Sequence, residues 1–142
     1  MAHRVIEASA TSKASRDAVW RLVADITTWS DWGDWSSTTR EREGDPAPDG
    51  VGTLRRLRRF PVTNLEEVTA FEPGARLGYR LVKGLPLRNY NAEVRLDDAP
   101  DGGTRITWRA EFDTTWVPGV ANGLERFFPT VVERLARAAE RS

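Results

Sequence analysis

The apolar period of this chain changes three times, and the order of the changes leaves few architectures open. Residues His3–Thr11 carry the β-branched and small residues of a first strand. Ser15 then offers a helix N-cap, Asp17 places negative charge in the first turn, and Val19, Leu22, Val23 and Ile26 mark one helical face. Thr27-Thr28 end this helix ahead of a tryptophan-rich turn, Trp29-Ser30-Asp31-Trp32-Gly33-Asp34-Trp35. Six strands follow at Ser36–Arg42, Gly52–Phe60, Thr63–Phe71, Leu77–Leu81, Tyr90–Leu96 and Arg105–Phe112, with Glu72-Pro73-Gly74 in the order of a type II turn. The last strand alternates most cleanly. Ile106, Trp108, Ala110 and Phe112 interleave with Arg105, Thr107, Arg109 and Glu111, which predicts one buried and one wet face.

From Pro118 to Arg141, Val120, Leu124, Phe127, Phe128, Val131, Leu135 and Ala138 recur at helical spacing. Pro129 interrupts them, which predicts a kinked helix or two helices meeting near Phe128. One long helix must therefore cover one strongly curved sheet. Such a layout encloses a cavity, and the cavity is where a function is expected.

The 142 residues read as one domain, 1–142, able to bury roughly 68–70% of the unfolded surface. No apolar run approaches the ~20 residues of a membrane span, and no signal-peptide core opens the chain. With no cysteine, disulfides, thiolate metal sites and a cysteine nucleophile are excluded, and a cytoplasmic home is expected. A net charge of zero predicts no nucleic-acid partner. Only two of the 21 basic residues are lysines, a bias assigned to codon usage. His3 is the only histidine, so a zinc site or a Ser-His-Asp triad is excluded, and no glycine-rich phosphate loop is present. Asp97, Asp98 and Asp101 read as solvated turn acids. The expectation is no metal and no cofactor, and no feature specifies an oligomer.

With these elements in place the chain resembles the START/Bet v1-like (SRPBCC) superfamily, in particular its polyketide cyclase/dehydrase-like branch. The resemblance rests on Val19-Trp20, Trp29-x-x-Trp32, Gly52-Thr53, Ala75-Arg76-Leu77-Gly78-Tyr79 after a Pro-Gly turn, Gly103-Thr104-Arg105-Ile106-Thr107-Trp108, and the closing helix. It implies an α+β helix-grip fold: a seven-stranded curved antiparallel sheet around a long C-terminal helix, with two short helices between strands 1 and 2. It also implies an apolar ligand, such as a lipid, sterol or polyketide intermediate, between sheet and helix. The segment Lys83-Gly84-Leu85-Pro86-Leu87-Arg88-Asn89-Tyr90 is similar to the pocket-entrance loop of the plant abscisic-acid receptors. Leu85-Pro86-Leu87 replaces their His-Arg-Leu latch, so Gly84, Leu85 and Pro86 are expected at a cavity mouth without the signalling role.

Alternation turns Tyr79, Tyr90, Trp108 and Phe112 toward the concave face, opposite Phe127, Phe128 and Val131. They either fill a core or line a ligand site. The tyrosines are the better ligand contacts, because a buried phenol needs a partner. Phe112, Trp108 and Phe127 suit structure better. The tryptophans at 29, 32 and 35 share one side of a turn. They either wedge it against the sheet or place Trp32 or Trp35 at the pocket rim. In the basic run Arg55-Arg56-Leu57-Arg58-Arg59 the members split between two faces. They either pair across strands with Glu66 or Glu67, or Arg56 or Arg58, sharing the parity of Leu54, points inward to hold a carboxylate, phenolate or ketone oxygen.

The leading expectation is therefore binding of an apolar small molecule, with Tyr79, Tyr90, Trp108, Trp32, Trp35, Arg58, Phe112 and Phe128 as contacts. The alternative is a cyclase or dehydratase acting in the same cavity through Tyr79, Tyr90 or an inward arginine. No residue is assigned as catalytic. A partner-binding module with Leu85-Pro86-Leu87 as its apolar patch is the third possibility.

Overall fold

The computed structural model describes residues 2–142. Its seven strands are β1 (His3–Ser12), β2 (Ser37–Arg42), β3 (Leu54–Arg59), β4 (Val62–Glu72), β5 (Arg76–Lys83), β6 (Arg88–Asp98) and β7 (Thr104–Asp113). They form one antiparallel sheet in the order β1-β7-β6-β5-β4-β3-β2. Helices α1 (Arg16–Ala24) and α2 (Trp29–Trp32) lie between β1 and β2, joined by a 3-10 turn at Ile26–Thr28, and α3 (Val120–Arg141) closes the chain. This is the helix-grip fold, with strand limits close to those read from the periodicity.

Local chemistry accounts for the short helices. The Ser15 hydroxyl accepts from the Ala18 amide at 3.2 Å and caps α1. Asp25 repeats the device just past the end of α1, accepting from the Thr27 amide at 3.0 Å, so the chain re-enters helical geometry and delivers Trp29 and Trp32 to the interior.

The long helix runs through Pro129 as a single element, not as two. Pro129 cannot donate to the Glu125 carbonyl, and it occupies an exposed position where water can serve that oxygen. The C-terminal half of α3 is tied to the far end of β1. The buried Ser12 hydroxyl donates to the Ala136 carbonyl at 2.8 Å, Arg137 donates to the Thr11 carbonyl at 2.7 Å, and Glu140 accepts from the Lys13 amide at 2.8 Å. The N-terminal half faces the sheet end where β3 turns into β4, β5 into β6, and β7 into α3. That loop end carries the candidate site.

Candidate ligand-binding site

A half-open cleft of about 180 Å³ lies at the loop end of the sheet. Trp35, Leu57, Phe60 and Pro61 form one wall, Leu85 the rim, and Val120, Leu124 and Phe127 of α3 the other wall. Trp35 meets Phe127 edge to face, with ring centroids 5.6 Å apart. Polarity enters through Arg59 and Asn64. The Arg59 guanidinium lies 4.9 Å from the Phe127 ring centroid and 3.1 Å from Asp34, which fixes the cation at the edge of the cleft.

The rim loop is held by a glycine. Gly84 has φ +138°, and a Cβ there would stand 2.1 Å from Asn64 Oδ1 and 2.8 Å from the Thr63 carbonyl oxygen. The absent side chain lets the loop close on β4, where Asn64 Oδ1 accepts from the Leu85 amide at 3.1 Å. Pro86 is tied to the β7–α3 loop, its carbonyl accepting from the Thr115 hydroxyl at 2.7 Å.

Most of the residues expected to contact a ligand contact one another instead. Trp29 is the hub of an aromatic cluster, with ring centroids 5.3 Å from Trp108, 5.7 Å from Trp32, 5.4 Å from Trp35 and 6.3 Å from Tyr79. The Trp108 indole donates to the Tyr79 hydroxyl at 3.0 Å, Tyr90 stacks on Phe112 at 5.8 Å, and Phe128 packs on Trp108. Burial, together with the nearby Glu66 carboxylate, pushes the Tyr79 phenol far above the usual range for a phenol. Burial does the same to Tyr90, with Tyr79 beside it. Tyr79, Tyr90, Trp108, Phe112, Phe128 and Trp32 are thus buried where a hollow was expected, and they do not line the cleft. Trp35 and Leu85 do line it. So does Phe127, which the spacing had suggested was structural.

The inward arginine also differs from the expectation. Arg56 and Arg58 are exposed; Arg56 pairs with Glu41, and Arg58 reaches only the Thr63 hydroxyl, at 3.4 Å. Arg55 is the buried one, at 1% exposure, on the same face as Thr53 and Leu57. Leu54 gave the wrong parity because it sits half-buried on the outer face, at the start of the strand. Directly across the ladder from Arg55 stands Glu66, and Arg55 Nη2 donates to its Oε1 at 2.9 Å. The guanidinium lies over the rings of both Trp29 and Tyr79, 4.4 and 4.8 Å from their centroids. Its Nε and Nη1 have no hydrogen-bond partner among the described residues. Burial raises the pKa of Glu66 more than the Arg55 charge lowers it. Leu57, the next inward residue of β3, lines the cleft, so the ion pair lies one pleat repeat deeper, roughly 7 Å.

Residues 3–140 match the sequence model of a family described as polyketide cyclase/dehydrase and lipid transport. The chain belongs to that family. Its fold is shared with the ZhuI aromatase/cyclase from Streptomyces sp. R1128, at a TM-score of 0.83 and 18% identity over 99% of this chain and 95% of that one. XoxI from Bacillus cereus aligns with a TM-score of 0.75 and 17% identity, covering 97% and 95% of the two chains. A START superfamily protein from Mycobacterium smegmatis aligns with a TM-score of 0.75 and 14% identity, covering 99% and 96%. No curated protein sequence matches the chain.

Beneath this open mouth the interior is filled by the buried aromatic side chains. Leu57, Arg59, Asn64 and Leu124 belong to the mouth and were missed in the sequence. Their signal is topological, because the β3–β4 turn and the start of α3 meet only through the sheet order. Among the described residues no group of three or more histidines, cysteines and carboxylates is arranged to hold a metal ion. His3, exposed at the sheet edge, is occupied by Asp113 at 3.0 Å. No helix among them is long and apolar enough to cross a membrane.

Proposed function

We propose that this protein binds a small apolar molecule, one ring or a short acyl chain in size, at the loop end between the sheet and α3. The observation that supports this reading is the cleft itself, walled by apolar side chains from separate elements, with Arg59 and Asn64 as its polar groups. Its volume of about 180 Å³ decides the size class. An apolar cavity of about 150 Å³ takes up benzene, whereas drug-sized ligands occupy roughly 300–1,000 Å³. Burying one aromatic ring, about 150–250 Å², stabilises a complex by roughly 4–6 kcal/mol before association entropy is subtracted. Arg59 then orients a hydroxyl, carbonyl or carboxylate on that ligand. A cytoplasmic setting fits a chain without cysteine.

Titration with one-ring phenols and aromatic carboxylates tests this, read by two-dimensional NMR. Saturable 1:1 shifts confined to Leu57, Leu85, Leu124 and Phe127 are expected. Leu124→Trp, which fills the cleft, should abolish them while leaving the thermal midpoint within a few degrees. Non-saturating or scattered shifts reject the proposal.

A second reading, cyclase-type chemistry, is favoured by one observation: two guanidinium nitrogens of Arg55 stand buried over the Tyr79 ring, without hydrogen-bond partners among the described residues. A ketone oxygen reaching that point would be polarised by them once Trp29 and Tyr79 part. The fold shared with an aromatase/cyclase makes a poly-β-ketone the substrate to try. Tyr79→Phe keeps the ring and removes the hydroxyl. An unchanged product distribution with that variant and with Arg55→Lys rejects catalysis at this position.

A further inference from the structure

The loop end that surrounds the cleft also carries the two most exposed large apolar side chains, Phe60 and Trp116, each 81% accessible. Phe60 tips the β3–β4 turn and Trp116 tips the β7–α3 loop, and each is followed closely by a proline, Pro61 and Pro118. The three loops form a continuous rim. Phe60, Leu85 and Val120 border the cleft, Leu87, Thr115 and Val120 border the depression beside it, and Arg88, Thr115 and Trp116 the next.

Cations outnumber carboxylates at this rim. Lys83 and Arg88 bracket the β5–β6 loop and Arg58 stands two residues before Phe60. None of the three has a carboxylate within 4.0 Å among the described residues. Two carboxylates lie nearby: Asp34 is paired with Arg59, and Asp113, hydrogen-bonded to His3 and Asn89, stands across the ladder from Arg88 in the same depression. The chain as a whole is neutral, so this cationic character is local to the rim.

We propose that this rim docks on the surface of an anionic bilayer, with Phe60 and Trp116 entering the headgroup region and Lys83, Arg88 and Arg58 pairing with lipid phosphates. Separate aromatic tips flanked by unpaired cations suit a fluid interface, where a tryptophan ring lies half in hydrocarbon and half in water. A protein partner instead calls for a contiguous patch of roughly 800 Å² on each side. The docking stands whether or not the cleft is filled, and it opens the cleft toward the lipid.

Sedimentation with phosphatidylcholine vesicles, with and without phosphatidylglycerol, tests the proposal without any added ligand. Binding is expected only to the anionic vesicles, weakening as salt is raised. Trp116 is the exposed tryptophan, so its burial should also blue-shift emission and reduce acrylamide quenching. Phe60→Ser with Trp116→Ser should lower partition at least tenfold at an unchanged thermal midpoint, because both side chains are solvent-exposed. Lys83→Glu with Arg88→Glu should lower it at low salt by roughly fivefold for each cation lost. No partition into anionic vesicles, or partition indifferent to the Phe60 and Trp116 changes, overturns the proposal. So does a self-associated species that the serine variants dissolve, which would make the rim a protein interface.

Discussion

Arg55 and Glu66 face each other across the β3–β4 ladder with 2.9 Å between Nη2 and Oε1, and both are almost completely withdrawn from water. Removing two charges from solvent is costly, and the pair compensates only while both members are present. Arg55→Met or Glu66→Leu alone should therefore destabilise by about 3–5 kcal/mol, because each strands a charge among Trp29, Tyr79 and Leu57. The double substitution should be close to neutral. Urea unfolding with a double-mutant cycle measures this, and strictly additive losses would sink the account.

The same pair sets a pH dependence. Burial raises the Glu66 pKa above its ordinary 4.5, so in the window above 4.5 the folded state binds more protons than the unfolded chain does. Stability from this residue is thus greatest near or below pH 4.5 and declines as pH rises toward the folded pKa. Asp113, lowered by its hydrogen bonds from Asn89 and His3, acts the opposite way, losing stability as pH falls through its folded pKa. Glu66→Gln isolates the first effect. The stability of wild type relative to this variant should fall as the pH is raised above 4.5. A difference that is flat or rises with pH contradicts the burial argument.

How much of this was legible in the sequence depended on what carried the signal. β7 was plain because Ile106, Trp108, Ala110 and Phe112 are inward and their neighbours are not, a period-2 pattern that burial reproduces residue by residue. The α1 cap at Ser15 was plain because a single hydroxyl fixes it. β3 misled because its inner face holds an arginine and its outer face a leucine, so hydropathy pointed the wrong way until the ladder set Arg55 against Glu66. The cleft was legible only at Trp35 and at the Gly84-Leu85 loop. Its other walls come from elements distant in sequence, such as Leu57 of β3 and Leu124 of α3, for which no local spacing is diagnostic.

The chain has two tyrosines, and both lie in the filled interior. Burial disfavours the phenolate of each, so neither should ionise near pH 10 in the folded protein. Absorbance at the tyrosinate band should stay flat through pH 10.5 and then rise together with loss of the near-ultraviolet dichroism. A reversible step near pH 10 with the fold intact would show that water reaches Tyr79 or Tyr90, and that the interior is open after all. Tyr79→Phe leaves the Trp108 N–H without its acceptor and should cost about 1–3 kcal/mol.

Gly84 links the rim loop to the cleft, and its replacement separates loop closure from core stability. Alanine there meets Asn64 Oδ1 at 2.1 Å and the Thr63 carbonyl oxygen at 2.8 Å, and a φ of +138° is itself unfavourable for any residue with a Cβ. The side-chain oxygen can swing away; the backbone oxygen cannot. The loop must therefore lift from β4, breaking the Leu85 N–H to Asn64 hydrogen bond and drawing Leu85 off the cleft. Gly84→Ala should lower stability by roughly 1–3 kcal/mol, faster amide exchange at Leu85 accompanying the loss. The aromatic cluster lies on the other side of Leu57, so the indole and tyrosine resonances of Trp108 and Tyr79 should hold their positions. Slow exchange persisting at Leu85 in the variant would mean that the glycine is not what holds the rim down.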